Sequence, residues 1–392
     1  MILKIKIENY KSIRSQEIEL NRFNVLIGRN ASGKTNFISA IILLKNLATG
    51  MDLETAVNKV APLSQEFFYL KDHENKANFE FTIISKNKSL YRFCYNVGLG
   101  RVAGSWNFSI QNESLKKIVD GQEIYVYKRE RDSTFEGPKQ EPIPLRVEFN
   151  KLMLNKYTNE DVAEVINTLT SYTIVDMPSL DTKEGFGLVL GNKINLSSID
   201  GVAASLFIKN NNRFENAIKS IQKILPNFMA PLVSPLDEPP PEEPKTTIKQ
   251  DEDIKRYLVT WREKNFPERL SYMSLSHGDR RVIHLFFSLF NTDENSFLIF
   301  EEIENGMHSG RLLKLLDEFR TQANNRKIQV LFTTHSTELL TEVKASEVIF
   351  CKKGDGNATE IVKLDSTDEY NSIKEDLAEG HTAADVLSTG MF

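Results

Sequence analysis

Three carboxylates, Glu301, Glu302 and Glu304, crowd into IFEEIENGMH directly after the apolar run FLIF, which ends at Phe300. Like charges repel, and burying them unpaired would cost several kcal/mol. A divalent cation or a proton-transfer task accounts for such a cluster at the end of a buried strand. Either one needs phosphates to serve, held elsewhere in the chain.

GRNASGKT, residues 28 to 35, is the element that would hold them. It fits G-x-x-x-x-G-K-[ST] and lies between the apolar strand FNVLI and the helical run TNFISAIILLKNLA, the context the motif requires. Gly28 and Gly33 are expected to let the backbone bend. The N–H groups of Asn30, Ala31, Ser32, Gly33, Lys34, Thr35 and Asn36 then face phosphate oxygens at a helix N-terminus. Lys34 would neutralise the β- and γ-phosphates, and the Thr35 hydroxyl would bind Mg²⁺. Glu301 is then placed to hold the metal through water, and Glu302 to take a proton from an attacking water. If the chain stays extended there, the two adjacent side chains point to opposite faces.

Two other stretches carry candidate residues. SLSHGDRR, residues 274 to 281, opens the helical run VIHLFFSLF. Ser276, Gly278 and the first amides of that helix would form a second anion site, an ordinary Ser-capped helix being the alternative. VLFTTHS reads as a strand ending in His335, which could donate to a γ-phosphate oxygen or be purely structural.

The elements around these residues fall into three parts. Residues 1–75 alternate strand and helix, beginning with ILKIKIENY and QEIEL. Residues 76–253 read as an inserted lobe, β-rich from FEFTIIS to EIYVYKRE and then helical over 159–230. The lobe closes on the Pro- and acid-rich linker SPLDEPPPEEPKTTIKQDED. Residues 254–392 return to alternating strand and helix, which implies a largely parallel sheet binding its ligand at the strand C-termini. No heptad run is long enough for an extended coiled coil.

Composition narrows the class. The chain has 392 residues, 40% hydrophobic, so it can build a large core. Its net charge of −5 argues against coating nucleic acid or anionic lipid by bulk electrostatics, while leaving room for a local basic groove. Cys94 and Cys351 have no CxxC spacing and read as reduced thiols. No leader pattern and no run of ~20 apolar residues is found, so a cytoplasmic protein is expected.

The order of phosphate loop, large insertion, LSHG signature, acidic strand end and histidine resembles the ABC-type ATPases of the SMC, RecF and OLD group. LKIKIENYKSI looks like that group's opening strand and turn. IFEEIENGMHSGRL is similar to a stretch of stand-alone ATPases that act beside a nuclease or toxin in anti-phage defence. The resemblance implies an α/β fold, an ABC/SMC-type P-loop ATPase head with an inserted β-then-helical lobe. It implies a slow Mg²⁺-dependent ATPase that forms a head-to-tail dimer, or a higher oligomer, around two ATP molecules. In such a dimer the phosphate loop of one subunit meets Ser276 and Gly278 of the other. The catalytic residues would be Lys34, Glu302 and His335. The usual Asp of the family is Glu301 here, the usual Pro is Ile303, and Gln65 is the candidate for the glutamine loop. An OLD-type nuclease domain is not recognisable, so a nuclease or toxin effector is expected on a separate polypeptide. The alternatives are a RecF-like repair ATPase that binds DNA directly and, less fittingly given the insertion, a transporter subunit.

Overall fold

The computed structural model describes residues 1–72, 74–102, 105–131, 133–145, 148–175, 189–190, 198–236, 256–304, 306–335, 339 and 343–367. The chain divides into two compact units. The first is Met1–Ile174, Glu294–Glu302 and Arg326–Phe392, and the second is Val175–Asp293 and Ile303–Asn325.

The first unit contains two sheets. Phe297–Phe300, Gln329–Thr334, Phe23–Ile27 and Val348–Lys353 pair in parallel in that order, with Thr359–Lys363 antiparallel at one edge and Tyr172–Val175 at the other. FLIF and FNVLI are buried along their whole length, as expected for parallel strands covered on both faces. The other sheet is eight-stranded, in the order Ile13–Glu19, Ile2–Tyr10, Ala77–Ile84, Leu90–Val102, Ser105–Val119, Gln122–Glu130, Ser133–Glu136, Glu141–Pro142. Its strands alternate: Phe79, Phe81 and Ile83 are buried, whereas Lys4, Lys6 and Arg92 stand on the wetter face and pair with Glu17, Glu8 and Glu80. The helix Lys34–Ala48 places Phe37, Ile38, Ile41 and Leu44 in one core with Ile5, Phe79 and Phe93 of this sheet and Leu26, Ile299 and Leu331 of the other.

The three-part division expected from sequence is not the one observed. Ala77–Ile84 pairs antiparallel with Ile2–Tyr10, so residue 76 is no boundary and the β-rich stretch belongs to the first unit. Hydrophobic alternation identifies a strand but says nothing about its partner. Of the helical part of the expected lobe, Glu160–Thr170 falls in the first unit, and Ile199–Lys209 and Asn211–Ile224 fall in the second. Of the expected linker, Ser234 to Leu236 end the strand Phe228–Leu236, and residues 237–253 lie outside the described residues. Among the described residues the longest helix, Ser309–Asn325, has 17 residues, and no helix is long and apolar enough to cross a membrane.

In the second unit those two helices accompany His277–Asn291 and Ser309–Asn325, joined by the ring contacts Phe214–Phe287 and Phe286–Phe319 at 5.8 and 5.6 Å. Trp261 of the strand Arg256–Glu263 donates its indole N–H to the buried Asp200 carboxylate at 2.7 Å. His284 is buried on the helix His277–Asn291, and among the described residues its Nδ1 has no hydrogen-bond partner. Burial, aided by the nearby Arg281 charge, lowers its pKa to about 4 from an ordinary 6.5.

Below pH 6.5 the unfolded chain therefore takes up a proton at His284 that the folded chain refuses. Stability from this residue is complete above pH 6.5 and lost as pH falls toward 4, by about 3 kcal/mol over that range. Replacing His284→Phe should flatten the pH dependence of the urea midpoint by that amount. An unchanged pH profile in the variant would contradict the assignment.

Candidate active site

The phosphate loop begins where the buried strand Phe23–Ile27 ends. Ala31 at φ 62° and Gly33 at φ 114° turn the backbone, and the helix starts at Lys34. Gly33 caps it without a side-chain hydrogen bond, and its first turn carries no acidic residue, so its N-terminal amides remain suited to an anion. Gly28 is needed for space and not for φ: a Cβ there would lie 2.1 Å from the Cys351 carbonyl oxygen. At Gly33 both reasons hold, since a Cβ would meet Thr359 Oγ1 at 2.1 Å.

Thr359 anchors the loop from behind. Its hydroxyl donates to Ser32 O at 2.9 Å, so the Ser12 hydroxyl, 2.6 Å away, must donate to Thr359, and Asn36 Nδ2 donates to Ser12 at 2.6 Å. The Asn36 side chain, expected at the nucleotide, is thus engaged in this relay. Asn30, Ala31 and Thr35 are exposed. The Ser32 hydroxyl is buried and makes no hydrogen bond among the described residues.

Lys34 is 8% exposed, and its Nζ donates to Gly28 O at 2.7 Å and Arg29 O at 3.0 Å, with His335 Nδ1 at 3.3 Å. Nδ1 is also 3.0 Å from Gly28 O; the carbonyl only accepts and the ammonium only donates, so the two contacts require opposite tautomers, the closer one placing a proton on Nδ1. Nε2 lies 3.5 Å from the Glu302 carboxylate. Sequence reasoning named all three residues, and the structure joins them in one line of contacts at the ends of strands Phe23–Ile27, Gln329–Thr334 and Phe297–Phe300.

The expectation for the acidic pair needs correcting in one respect. Glu302 is not on extended chain: its φ is 49°, in the left-handed region, and its N–H donates to Thr333 Oγ1 at 2.9 Å. The backbone turn, not strand alternation, aims the carboxylate. Glu301 is half-buried beside it. Thr35 and Glu301 offer a hydroxyl and a carboxylate, the hard oxygen donors that Mg²⁺ prefers. Among the described residues no group of three or more His, Cys, Asp or Glu side chains could hold a metal. These donors therefore suit an ion that takes its other ligands from phosphate and water.

Ser276 and Gly278 lie in the second unit. Ser276 is the N-cap of the helix His277–Asn291, its Oγ accepting from Asp279 N at 3.1 Å. A Cβ on Gly278 would come within 2.6 Å of Gly306 O, so this glycine admits the loop that follows Ile303. Two arginines that sequence reasoning passed over brace the same place. The buried Arg281 donates Nε to Ile303 O at 3.2 Å, and Arg311 pairs with Asp279 at 2.6 Å. The DRR run after the signature was the available signal for Arg281. Nothing near Ser12 or Thr359 announced their role. Gln65 lies in the short helix Ser64–Phe67, and its side chain is outside the described residues.

Gly33→Ala should destabilise the fold by about 2 kcal/mol or more, through both the strained φ and the clash with Thr359. Adding Thr359→Ala should recover part of the loss, because the two nearest atoms are then gone. Equal melting temperatures for Gly33→Ala and the parent would refute the packing described for the loop.

Comparison with solved structures gives the fold a wider setting. An SMC head bound to the C-winged helix domain of ScpA matches with a TM-score of 0.50 at 13% identity, covering 92% of this chain and 96% of that one. The SMC head domain with an extended coiled coil bound to the C-terminal domain of ScpA, derived from Pyrococcus furiosus, matches with a TM-score of 0.50 at 12% identity, covering 96% and 98%. The fold is that of an SMC head domain. A Helicobacter pylori (strain ATCC 700392 / 26695) protein described as an ATP/GTP phosphatase is 23% identical over 397 residues, 94% of each chain. Residues 23–341, from the phosphate-loop strand to beyond His335, match the family described as "AAA domain, putative AbiEii toxin, Type IV TA system", and the chain belongs to that family.

Proposed function

We propose that the chain is a Mg²⁺-dependent ATPase that dimerises around ATP and acts as a switch for a separate effector in anti-phage defence. The observation that carries the ATPase reading is the contact line from Lys34 through His335 to Glu302, beside a phosphate loop whose amides are presented to an anion. The phosphatase name of the Helicobacter pylori relative supports the same reading.

In this reading the β- and γ-phosphates draw Lys34 Nζ away from the Gly28 and Arg29 carbonyls, to which it is bound otherwise. Thr35 and Glu301 would hold magnesium, which when bound would supply further charge neutralisation at the phosphates. Glu302, fixed by its N–H to Thr333, accepts the proton of the attacking water, and the His335 imidazole beside that carboxylate is in reach of the γ-phosphate oxygen. Ser276 and the amides beside Gly278 complete the site of a second copy, which makes the dimer the hydrolytic form. The toxin–antitoxin system in the family's description supports a partnered switch.

Charge placement favours this reading over a RecF-like DNA-binding ATPase. In the short basic stretches YKRERD and KNNNRFENAIKSIQK, several cations are paired with carboxylates: Lys128 with Glu130, Arg213 with Asp293 and Lys223 with Glu318. Arg129 is buried and donates to the Lys151 and Glu148 carbonyls. Phosphate-backbone binding needs unpaired surface cations.

Lys34→Ala should abolish hydrolysis and strongly weaken ATP binding. Glu302→Gln should slow hydrolysis by ~10²-fold or more while retaining ATP, because a positioned general base contributes about 10²–10⁴. Sedimentation of Glu302→Gln with ATP and Mg²⁺ should show dimers that are absent without nucleotide. Wild-type turnover in Glu302→Gln would place the base elsewhere, and a monomer under saturating ATP would refute the dimer.

A further inference from the structure

The strand Gln329–Thr334 outlasts its neighbour Phe297–Phe300. Their parallel register ends at Phe300 beside Phe332, while Thr333 and Thr334 go on to pair with Leu26 and Ile27 of the phosphate-loop strand. Had the ladder continued, Glu302 would stand beside Thr334 on extended chain. The chain turns instead, with Glu302 at φ 49°, and the Thr333 hydroxyl accepts the Glu302 N–H at 2.9 Å where a ladder would have offered a backbone carbonyl. A residue with a Cβ enters the left-handed region at a cost, so its surroundings must hold it there. Thr333 is 2% exposed, and a hydrogen bond at that depth is not readily exchanged for one to water.

We infer that Thr333 is a positioning residue for hydrolysis: by holding the Glu302 backbone in the left-handed turn, its hydroxyl sets the turnover of bound nucleotide and not the affinity for it. The inference rests on the reading of Glu302 as the base and adds what aims that base. The Glu302 side chain is 48% exposed, so water competes for its carboxylate and the side chain keeps rotamer freedom of its own. Its starting direction is fixed one step earlier, by the φ that Thr333 maintains. A general base must lie within about 2.6–3.2 Å of the group whose proton it takes, and a misplacement of about 1 Å can cost as much as ~10²-fold in rate. A turn released from Thr333 therefore forfeits rate before it forfeits binding.

Thr333 and His335 both reach Glu302, one at its N–H and the other at its carboxylate. They are two residues apart, the spacing that puts side chains on one face of an extended chain. One strand end thus meets the base at two points. The nucleotide is gripped by other parts: the helix that opens at Lys34 supplies the amides, and Ser12 and Thr359 clamp the loop. Grip and aim sit on different elements, and for that reason affinity and turnover should divide.

The test measures ATP hydrolysis and calorimetric ATP binding of the full chain with Mg²⁺. Thr333→Val keeps the shape and the β-branch of the side chain but has no acceptor. It should lower kcat about tenfold, through the loss of one hydrogen bond, and leave ATP affinity within about twofold of the parent. Thr333→Ser keeps the acceptor and should recover most of that loss. Glu302→Gln/Thr333→Val should turn over within about twofold of Glu302→Gln alone, because a residue acting through Glu302 has nothing further to lose once the base is gone. Should Thr333→Val fold poorly, Thr333→Ala carries the same expectation. Unchanged kcat in the variant without the hydroxyl overturns the inference. So does an equal fall in affinity and kcat, or a pair of losses that multiply in the double variant, since either marks the hydroxyl as merely structural. Wild-type turnover in Glu302→Gln alone would instead remove the base reading, an outcome separate from any result at Thr333.

Discussion

Lys34 has three donors to satisfy in a place that water scarcely reaches, and the site is organised around that requirement. Gly28 O and Arg29 O accept from it, and His335 Nδ1 lies 3.3 Å away. A buried donor left unpaired costs about 1–3 kcal/mol, more for a charged group, so these contacts are held until something better replaces them. The helix N-terminus adds a partial positive charge at the same point, which favours an anion. Phosphate is such a replacement. Its arrival would release the two carbonyls, one of which also faces His335 Nδ1 at 3.0 Å, and His335 in turn faces Glu302. Through one side chain, nucleotide binding is tied to the group proposed as the base.

That side chain can act this way only because the loop carrying it is rigid. Rigidity comes from far along the chain, from the Cys351 carbonyl packed on Gly28 and from Thr359 packed on Gly33 and bonded to Ser32. Ser12, in the turn between the first two strands, completes the relay to Asn36. The loop is therefore clamped by the opening turn of the chain and by its last described hairpin. Gln329–Thr334 and Val348–Lys353 flank Phe23–Ile27 on opposite sides. In the second unit, Ser276 and Gly278 are shaped by local demands, a helix cap and a close-packed loop. A cap and a site for a partner's nucleotide are compatible, since the Ser276 oxygen accepts from Asp279 while its proton stays available to donate.

Much of the site was legible because it is written in contiguous residues. GRNASGKT between a strand and a helix, and FLIF running into carboxylates, are local patterns with local causes. His335 was readable for the same reason, as the residue after a buried strand. What escaped depends on contacts across the chain. Thr359 and Ser12 look like any strand-edge hydroxyls until their partners are known. Ala77–Ile84 reads as a strand, but its pairing with Ile2–Tyr10 cannot be inferred from its alternation, and so a boundary was expected where none exists. Glu302 departs for another reason: the left-handed turn has no glycine or asparagine to announce it, and is imposed by the hydrogen bond to Thr333.

The most direct test of this account is a crystal structure of the Glu302→Gln chain with ATP and Mg²⁺. Lys34 Nζ should be found on the β- and γ-phosphates and away from Gly28 O and Arg29 O, with the γ-phosphate on the side of His335. A nucleotide bound away from the loop, or one bound there with Lys34 still on the Gly28 carbonyl, would contradict it.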